Sequence, residues 1–534
     1  MVRQFHTLAW VLFTAVGTGT YFWPPTAILL VVLVPLYLLG IADTVQSHRA
    51  VLRNFPVIGH FRYLLEQIRP EINQYFVESN TDGSPYNREM RSLAYQRAKL
   101  DLDTVPFGTQ RDVYSVGYEW INHSLEAVAP QGDPPRITIG AGRCAQPYEA
   151  SLFNISAMSF GSLSRQAILS LNGGAKRGGF FHNTGEGGLS PYHLEPGGDI
   201  VWQIGTGYFG CRDAAGRFSE EQFAERARLP QVKMIEIKLS QGAKPGHGGI
   251  LPGSKVTPEI AEIRNVPLGK DVLSPPAHTE FGTPRELLAF VTRLRELSGG
   301  KPVGFKLCVG SPSEFLGICL AMKETGLSPD FITVDGGEGG TGAAPIEFSN
   351  SVGFPLTEGL IFVDNALRGF GLRSQLKLIA SGKIISAFHV AKRLAAGADL
   401  CNAARGFMFA LGCIQARRCN SNVCPVGVAT QDEALTRGLV VADKTERVHH
   451  LHEQTIEALR EILGAAGVDH PDDLQPHHIY RRVSALKVAT FAQIYKRVGD
   501  GQFLTDVPQG WAGWLKYASP DHFAPRADAV AQAS

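Results

Sequence analysis

Phe331-Ile-Thr-Val-Asp335-Gly-Gly-Glu338-Gly-Gly-Thr-Gly342 is a short apolar run that breaks at once into a glycine-rich turn. β-branched and aromatic residues suit a pleated strand, and a turn this rich in glycine lets the backbone approach a ligand closely. Runs of the same character recur at Phe153–Ala157, Gly179–His182, Val201–Ile204, Val232–Leu239, Val303–Cys308, Leu376–Ala380 and Asp399–Ala403. Amphipathic stretches lie between several of them, among them Pro284–Leu297, Pro312–Thr325 and Ala387–Ala396. Eight such runs alternating with helices predict an α/β chain closed into a parallel (β/α)8 TIM barrel. A doubly wound open sheet is the alternative, but no strand–Gly-x-Gly-x-x-Gly–helix unit opens the region.

In such a barrel the residues just after each strand line the active face. Reading those positions in turn gives Met158 and Ser159, then Glu186 in Asn183-Thr-Gly-Glu-Gly-Gly188. The fourth run carries Lys238 and leads into Gln241-Gly-Ala-Lys244-Pro-Gly246; Lys306 lies within the fifth. The sixth leads to Gly339, Gly340 and Thr341, the seventh to Gly382 and Lys383, the eighth to Arg405 and Gly406. Glycine-rich turns after the last strands are where barrels commonly hold a phosphate, and Lys383 or Arg405 would add charge. Lys306, between Phe305 and Leu307, would be buried, and burying an unpaired charge is costly. It should face an electron-rich group such as a flavin ring, or pair with a neighbouring carboxylate.

The eighth run continues into a loop holding Cys413, Cys419 and Cys424, the last followed by Pro425. Three thiolates this close suit an iron–sulfur cluster better than disulfides, which would strand one thiol. A cluster implies electron transfer to a second redox centre. The remaining five of the 8 cysteines are scattered among apolar residues and read as small buried side chains, as in a reducing compartment.

The chain has 534 residues, 44% of them hydrophobic and 19% charged, with a formal net charge of +1, so nothing points to nucleic acid. From Thr7 to Ala42 no charged residue occurs, and Pro24-Pro25 divides the stretch into two apolar runs. Arg3 precedes them, while Arg49, Arg53 and Arg62 follow. Basic flanks on both sides predict a transmembrane helical hairpin with the bulk of the chain cytoplasmic; a signal peptide and a shallow re-entrant anchor are the alternatives. The expected organisation is a hairpin over 1–44, a helical region over 45–130 and the barrel with its cysteine loop over 131–430. A helical extension over 431–534 follows. Arg62–Phe76 and Arg88–Leu100 are candidate helices in the second region.

Cys-x5-Cys-x4-Cys-Pro-Val-Gly-Val-Ala-Thr-Gln resembles a signature of the FMN-binding synthase domain of the glutamate synthase large subunit. So do Asn-Thr-Gly-Glu-Gly-Gly, Gln-Gly-Ala-Lys-Pro-Gly, Leu-Pro-Gly-x-Lys-Val and Asp-Gly-Gly-x-Gly-Gly-Thr-Gly-Ala, in the same order. The resemblance covers roughly 150–430; taken with the apolar N-terminal stretch, it makes the expected protein a membrane-anchored, stand-alone form. It implies FMN, a 3Fe-4S cluster on Cys413, Cys419 and Cys424, and reductive amination of 2-oxoglutarate through 2-iminoglutarate. Glu186 and Lys244 match catalytic positions; Met158, Ser159 and Arg264 match substrate-binding ones. Ser159, Lys238, Gln241, Lys306 and the glycine-rich turns fall to the FMN. The chain does not begin with the family's glutaminase cysteine, so ammonia is expected from outside. The electron donor stays open between a ferredoxin, a separate flavoprotein subunit and a membrane quinone pool. His247 and Ile250 stand where the family usually has glutamate and glutamine. They open two alternatives: another keto acid, or an amine transfer of the N-methylglutamate synthase kind. A third is an electron-transfer subunit of a membrane complex.

Overall fold

The structure, a computed structural model, describes residues 1–523. It divides into two compact units, Met1–Arg88 and the remainder of the chain.

In the second unit eight parallel strands close into a barrel in chain order: Phe153–Ile155, His182–Asn183, Ile200–Ile204, Val232–Lys238, Val303–Leu307, Phe331–Asp335, Lys377–Ser381 and Leu400–Ala403. The expected TIM barrel is therefore observed, and each strand overlaps or abuts its expected run. Closure is made by Cys401, Asn402 and Ala403 pairing with Phe153, Asn154 and Ile155. Most strand residues are buried on both faces, which is why these runs are apolar rather than alternating.

Strand two starts later than its run. Gly179 caps the Arg165–Gly178 helix at φ 62°, its N–H bonded to Ala175 O and Lys176 O. A left-handed cap suits glycine, so the residue ends a helix rather than opening a strand. Pro284–Leu297 starts on a Thr283/Glu286 capping box with Pro284 at its first turn, and Pro312–Thr325 also opens on proline. The ring of helices is completed by Val441–Ala465, which packs on both Arg165–Gly178 and Ala387–Ala395. The cysteine loop thus lies in the chain between strand eight and the helix that completes the ring.

The first unit holds Val2–Phe22 and Leu30–Val45, separated by a 3-10 turn that begins at Pro24. Pro24–Val45 is long and apolar enough to cross a membrane, with mean hydropathy 2.4. Ala50–Asn54 and Gly59–Ile72 follow.

Candidate functional site

The C-terminal ends of strands four and five put two lysines side by side: Lys238 and Lys306 are directly opposed in the ladder. Like charges so placed require compensation, and each lysine has its own carboxylate. Lys238 Nζ lies 2.6 Å from Glu186 Oε1, and Lys306 Nζ lies 3.0 Å from Asp335 Oδ2. Glu236 shares the face of Lys238 two residues deeper. It accepts hydrogen bonds from Asn183 Nδ2 (2.8 Å), Gln203 Nε2 (2.5 Å) and Thr333 Oγ1 (2.6 Å). The barrel interior is thus a charged stack with its lone pairs filled.

Burial alone would raise the pKa of Glu186, but Lys238, Lys244 and Arg264 outweigh it and hold the carboxyl below its usual range. Burial pulls Lys238 down; Glu186 opposes this and Lys306 adds to it. Burial also pulls on Lys306, yet Asp335, Glu236 and Glu186 carry it above the ordinary lysine value. Lys306 therefore carries a firm positive charge at the centre of the mouth.

Lys244 sits on the loop after strand four, which is laced to the loop after strand six. Gly242 N–H donates to Asp335 Oδ2 (3.0 Å), Ala243 N–H to Gly337 O (3.2 Å) and Gln241 Nε2 to Thr341 Oγ1 (3.5 Å). Lys244 Nζ donates to Ala343 O at 2.9 Å, and burial pushes its ammonium pKa down to about 8. Arg264 ends the Pro258–Arg264 helix, whose start is fixed by the Thr257 side chain accepting from Ile260 N–H. Its guanidinium is buried, donates to Phe160 O at 3.0 Å and lies 5.2 Å from the Phe209 ring centre. Burial lowers its pKa to about 10. Its Nε is a buried donor with no partner among the described residues. Gly187 is needed for this approach, since a Cβ there would stand 2.6 Å from Arg264 Nη2. A buried guanidinium with a spare donor beside Lys244 and Glu186 suits a ligand carboxylate.

Met158 is buried beside the mouth, its N–H donating to Asn183 O (3.1 Å), and Ser159 Oγ donates to Ser162 Oγ (3.1 Å). Around strands six to eight, Gly382 adopts φ 139°, a conformation open to glycine, and Lys383 follows at φ 49°. Arg405 donates to Glu338 O at 2.8 Å, and Gly406 is buried behind it. Burial and then Arg405 depress the pKa of Lys383, which makes no hydrogen bond or salt bridge among the described residues. Two cations that disfavour each other beside the Gly339–Gly340–Thr341 turn fit an anionic phosphate between them.

Cys413, Cys419 and Cys424 are free thiols, and the loop bearing them winds through left-handed Gly412, Gln415, Arg417 and Asn422. Among the described residues no three His, Cys, Asp or Glu side chains form a group that would hold a metal ion. The three thiols nonetheless influence one another. Burial pushes Cys413 up to about 12, with Cys419 and Cys424 adding to the rise. Lys255 faces Cys419 and Cys424, and burial depresses its pKa to about 8. Its Nζ donates to Ser162 O and Ala429 O, both at 2.9 Å, tying the cysteine loop to the loop that carries Ser159.

The structure thus gathers Glu186, Lys238, Lys244, Arg264 and Lys306 into one charged cluster, with Lys383 and Arg405 beside the glycine turns. Sequence reasoning missed Asp335, Glu236 and Lys255 as partners, and the bridge His278 makes between Tyr208 OH (3.0 Å) and Lys238 O (2.9 Å). The spacing of Glu236 two residues before Lys238 was a usable signal, because strand alternation puts both on one face. No pattern announces His278, which lies far from its partners in the chain.

A family model described as a conserved region in glutamate synthase matches residues 132–469. The chain is 39% identical to the glutamate synthase large subunit-like protein of Bacillus subtilis (strain 168), over 85% of this chain and 94% of that one. It is 38% identical to the archaeal glutamate synthase (NADPH) of Methanocaldococcus jannaschii, over 60% of each chain. Against the glutamate synthase (NADPH) large chain of Azospirillum brasilense it is 33% identical, over 59% of this chain and 20% of that one.

Proposed function

The chain belongs to the glutamate synthase family, and from that premise we propose that it is a glutamate synthase-like oxidoreductase aminating 2-oxoglutarate with external ammonia. The observation that carries this is the convergence of Glu186, Lys244 and a partly unsatisfied Arg264 on one buried site. Arg264 would grip a substrate carboxylate through its spare Nε donor. Lys244 would polarise the keto oxygen. Its pKa of about 8 lets it give and take a proton near neutral pH. Glu186, held ionised, is a poor base at that pH. It would instead orient Lys238 and accept a hydrogen bond from the incoming ammonia. Met158 and Ser159 would wall the pocket.

FMN fits the mouth: Lys383 and Arg405 would hold its phosphate with Gly339, Gly340, Thr341, Gly382 and Gly406. Lys238, Gln241 and Lys306 would line its ring. When bound, FMN supplies the reducing equivalents that convert imine to amine. The positive charge on Lys306 favours an electron-rich ring edge. Cys413, Cys419 and Cys424 would hold a 3Fe-4S cluster, which supplies one-electron transfer from a separate ferredoxin or flavoprotein subunit. The apolar Pro24–Val45 segment, 11% buried, supports a membrane anchor; the reading as a hairpin with the barrel in the cytoplasm rests on Val2–Phe22 beside it and on the basic flanks. Full release by carbonate washing would refute that anchor.

The test is direct. The purified full chain, reduced by dithionite, should form glutamate from 2-oxoglutarate and ammonium, and none without ammonium. A flavin-replete protein that forms no glutamate would sink the assignment. One observation favours a second reading: His247 makes an edge contact with Phe348 (5.3 Å between ring centres) in the Lys244 loop, where the family has a carboxylate. A related keto acid, or an amine in place of ammonia, would then be preferred in a substrate panel.

A further inference from the structure

The Gly59–Ile72 helix presents an exposed apolar stripe. Phe61, Leu64, Leu65, Ile68 and Ile72 recur at intervals of three and four residues, and all are exposed, Phe61 by 64% and Leu65 by 56%. The chain prolongs the helix by one wider turn, Asn73–Val77, which adds exposed Tyr75 and Phe76, the latter by 84%. Spacing of this kind puts the side chains on one face. Arg62 and Arg69 border that face on one side and Glu71 on the other, while Glu66, Gln67 and Asn73 turn away from it. A stripe of seven large apolar side chains left in water is a liability unless something covers it.

The helix is also fixed in place relative to the apolar span. Asp43, near the end of Leu30–Val45, is buried and bonds His60 Nε2 at 2.9 Å and Val57 N–H at 2.9 Å. Arg49 lies over the Tyr63 ring at 4.7 Å from its centre. These ties start the amphipathic helix beside the point where the apolar segment ends and the arginines Arg49, Arg53 and Arg62 begin. In a chain anchored by Pro24–Val45, that point is the level of the lipid headgroups.

We infer that Gly59–Val77 lies in the membrane interface, its Phe61–Phe76 stripe sunk among acyl chains and its arginines against anionic headgroups. The occupant of the stripe is lipid rather than another protein, for two reasons. The stripe starts close to the end of an apolar span that is itself exposed, and the junction carries Arg49, Arg53 and Arg62, with Arg69 along one border of the stripe. The assignment rests on the anchor proposed above. It makes residues 59–77 a second, in-plane attachment.

The experiment uses the full chain in vesicles of phosphatidylcholine and phosphatidylglycerol doped with a phospholipid carrying an acyl-chain diazirine. After irradiation, peptides are mapped by mass spectrometry. Lipid adducts on both the 24–45 and the 59–77 peptides are expected. In the variant F61D/L65D/I68D the 59–77 adducts should vanish while those on 24–45 persist. Labelling of 24–45 alone in the wild type overturns the in-plane helix and leaves the anchor standing. Absence of label on both overturns the anchor and the helix together. Label on 59–77 that survives the triple substitution, or protein–protein adducts there in place of lipid, also overturns the inference.

Discussion

At the scale of single residues the site is governed by which buried charge has a partner. Lys306 and Asp335 are 6% and 8% exposed, and neither has solvent to fall back on. Lys306→Met would leave Asp335 with only the Gly242 N–H and should destabilise the barrel by about 3–5 kcal/mol, read by denaturant unfolding. The double variant K306M/D335L removes both charges and should recover most of that loss. A single variant no less stable than wild type would show that the pair is dispensable. Lys244 gives a pH signature instead. Its pKa is about 8 against an ordinary 10.5, so between those values the unfolded chain binds more protons than the folded one. Its burial cost is therefore fully present below pH 8 and is relieved as pH climbs toward 10.5. Activity runs the other way: a protonated Lys244 polarises the keto group, so kcat/KM for the keto acid should fall above pH 8. Lys244→Arg should move that limb upward; a limb unchanged in the variant would assign it to another group. Sequence reasoning foresaw that Lys306 needs an anionic or electron-rich neighbour and favoured a flavin over a carboxylate. The structure supplies Asp335, the last residue of the adjacent strand, and only the barrel's register brings the two together.

Elements were legible where the chain repeats itself. Each barrel strand is an apolar run followed by turn chemistry, and that pattern survives burial on both faces. It failed at Gly179, where a helix cap imitates the start of a strand, and it gave no hint that Val441–Ala465 completes the ring of helices. The cysteine loop stands between that helix and strand eight, so chain order hides the packing. The loops are where element and function meet. Gly382 holds φ 139°, and any side chain there costs about 1–3 kcal/mol of strain. The turn would relax away from Lys383 to escape it. Gly382→Ala should therefore purify with substoichiometric flavin, seen as a reduced ratio of visible to ultraviolet absorbance, while far-UV circular dichroism stays at the wild-type level. Full flavin retention would remove this turn from the phosphate site.

Across the whole molecule the question is how electrons reach the mouth. Lys255 stood inside the Leu-Pro-Gly-x-Lys-Val motif and His278 in none, yet the roles of both were missed because each acts through partners far along the chain. Lys255 matters most here. It joins Ser162 O and Ala429 O while facing Cys419 and Cys424, so the cysteine loop and the substrate-side loop share one buried cation. Burial raises the pKa of Cys413 and Cys419, so loading a cluster on this loop must release protons from those two thiols. Cys419→Ser removes one thiolate from a set that has no spare. The variant should lose its iron and keep its flavin, because Lys383 and Arg405 lie on other loops. Dithionite reduces flavin without a protein donor, so dithionite-driven glutamate formation should persist in the variant. Turnover driven by a reduced ferredoxin should collapse if electrons enter through the cysteine loop. Equal loss with both reductants would mean instead that the loop is needed to shape the active site, and equal retention would mean that electrons enter elsewhere.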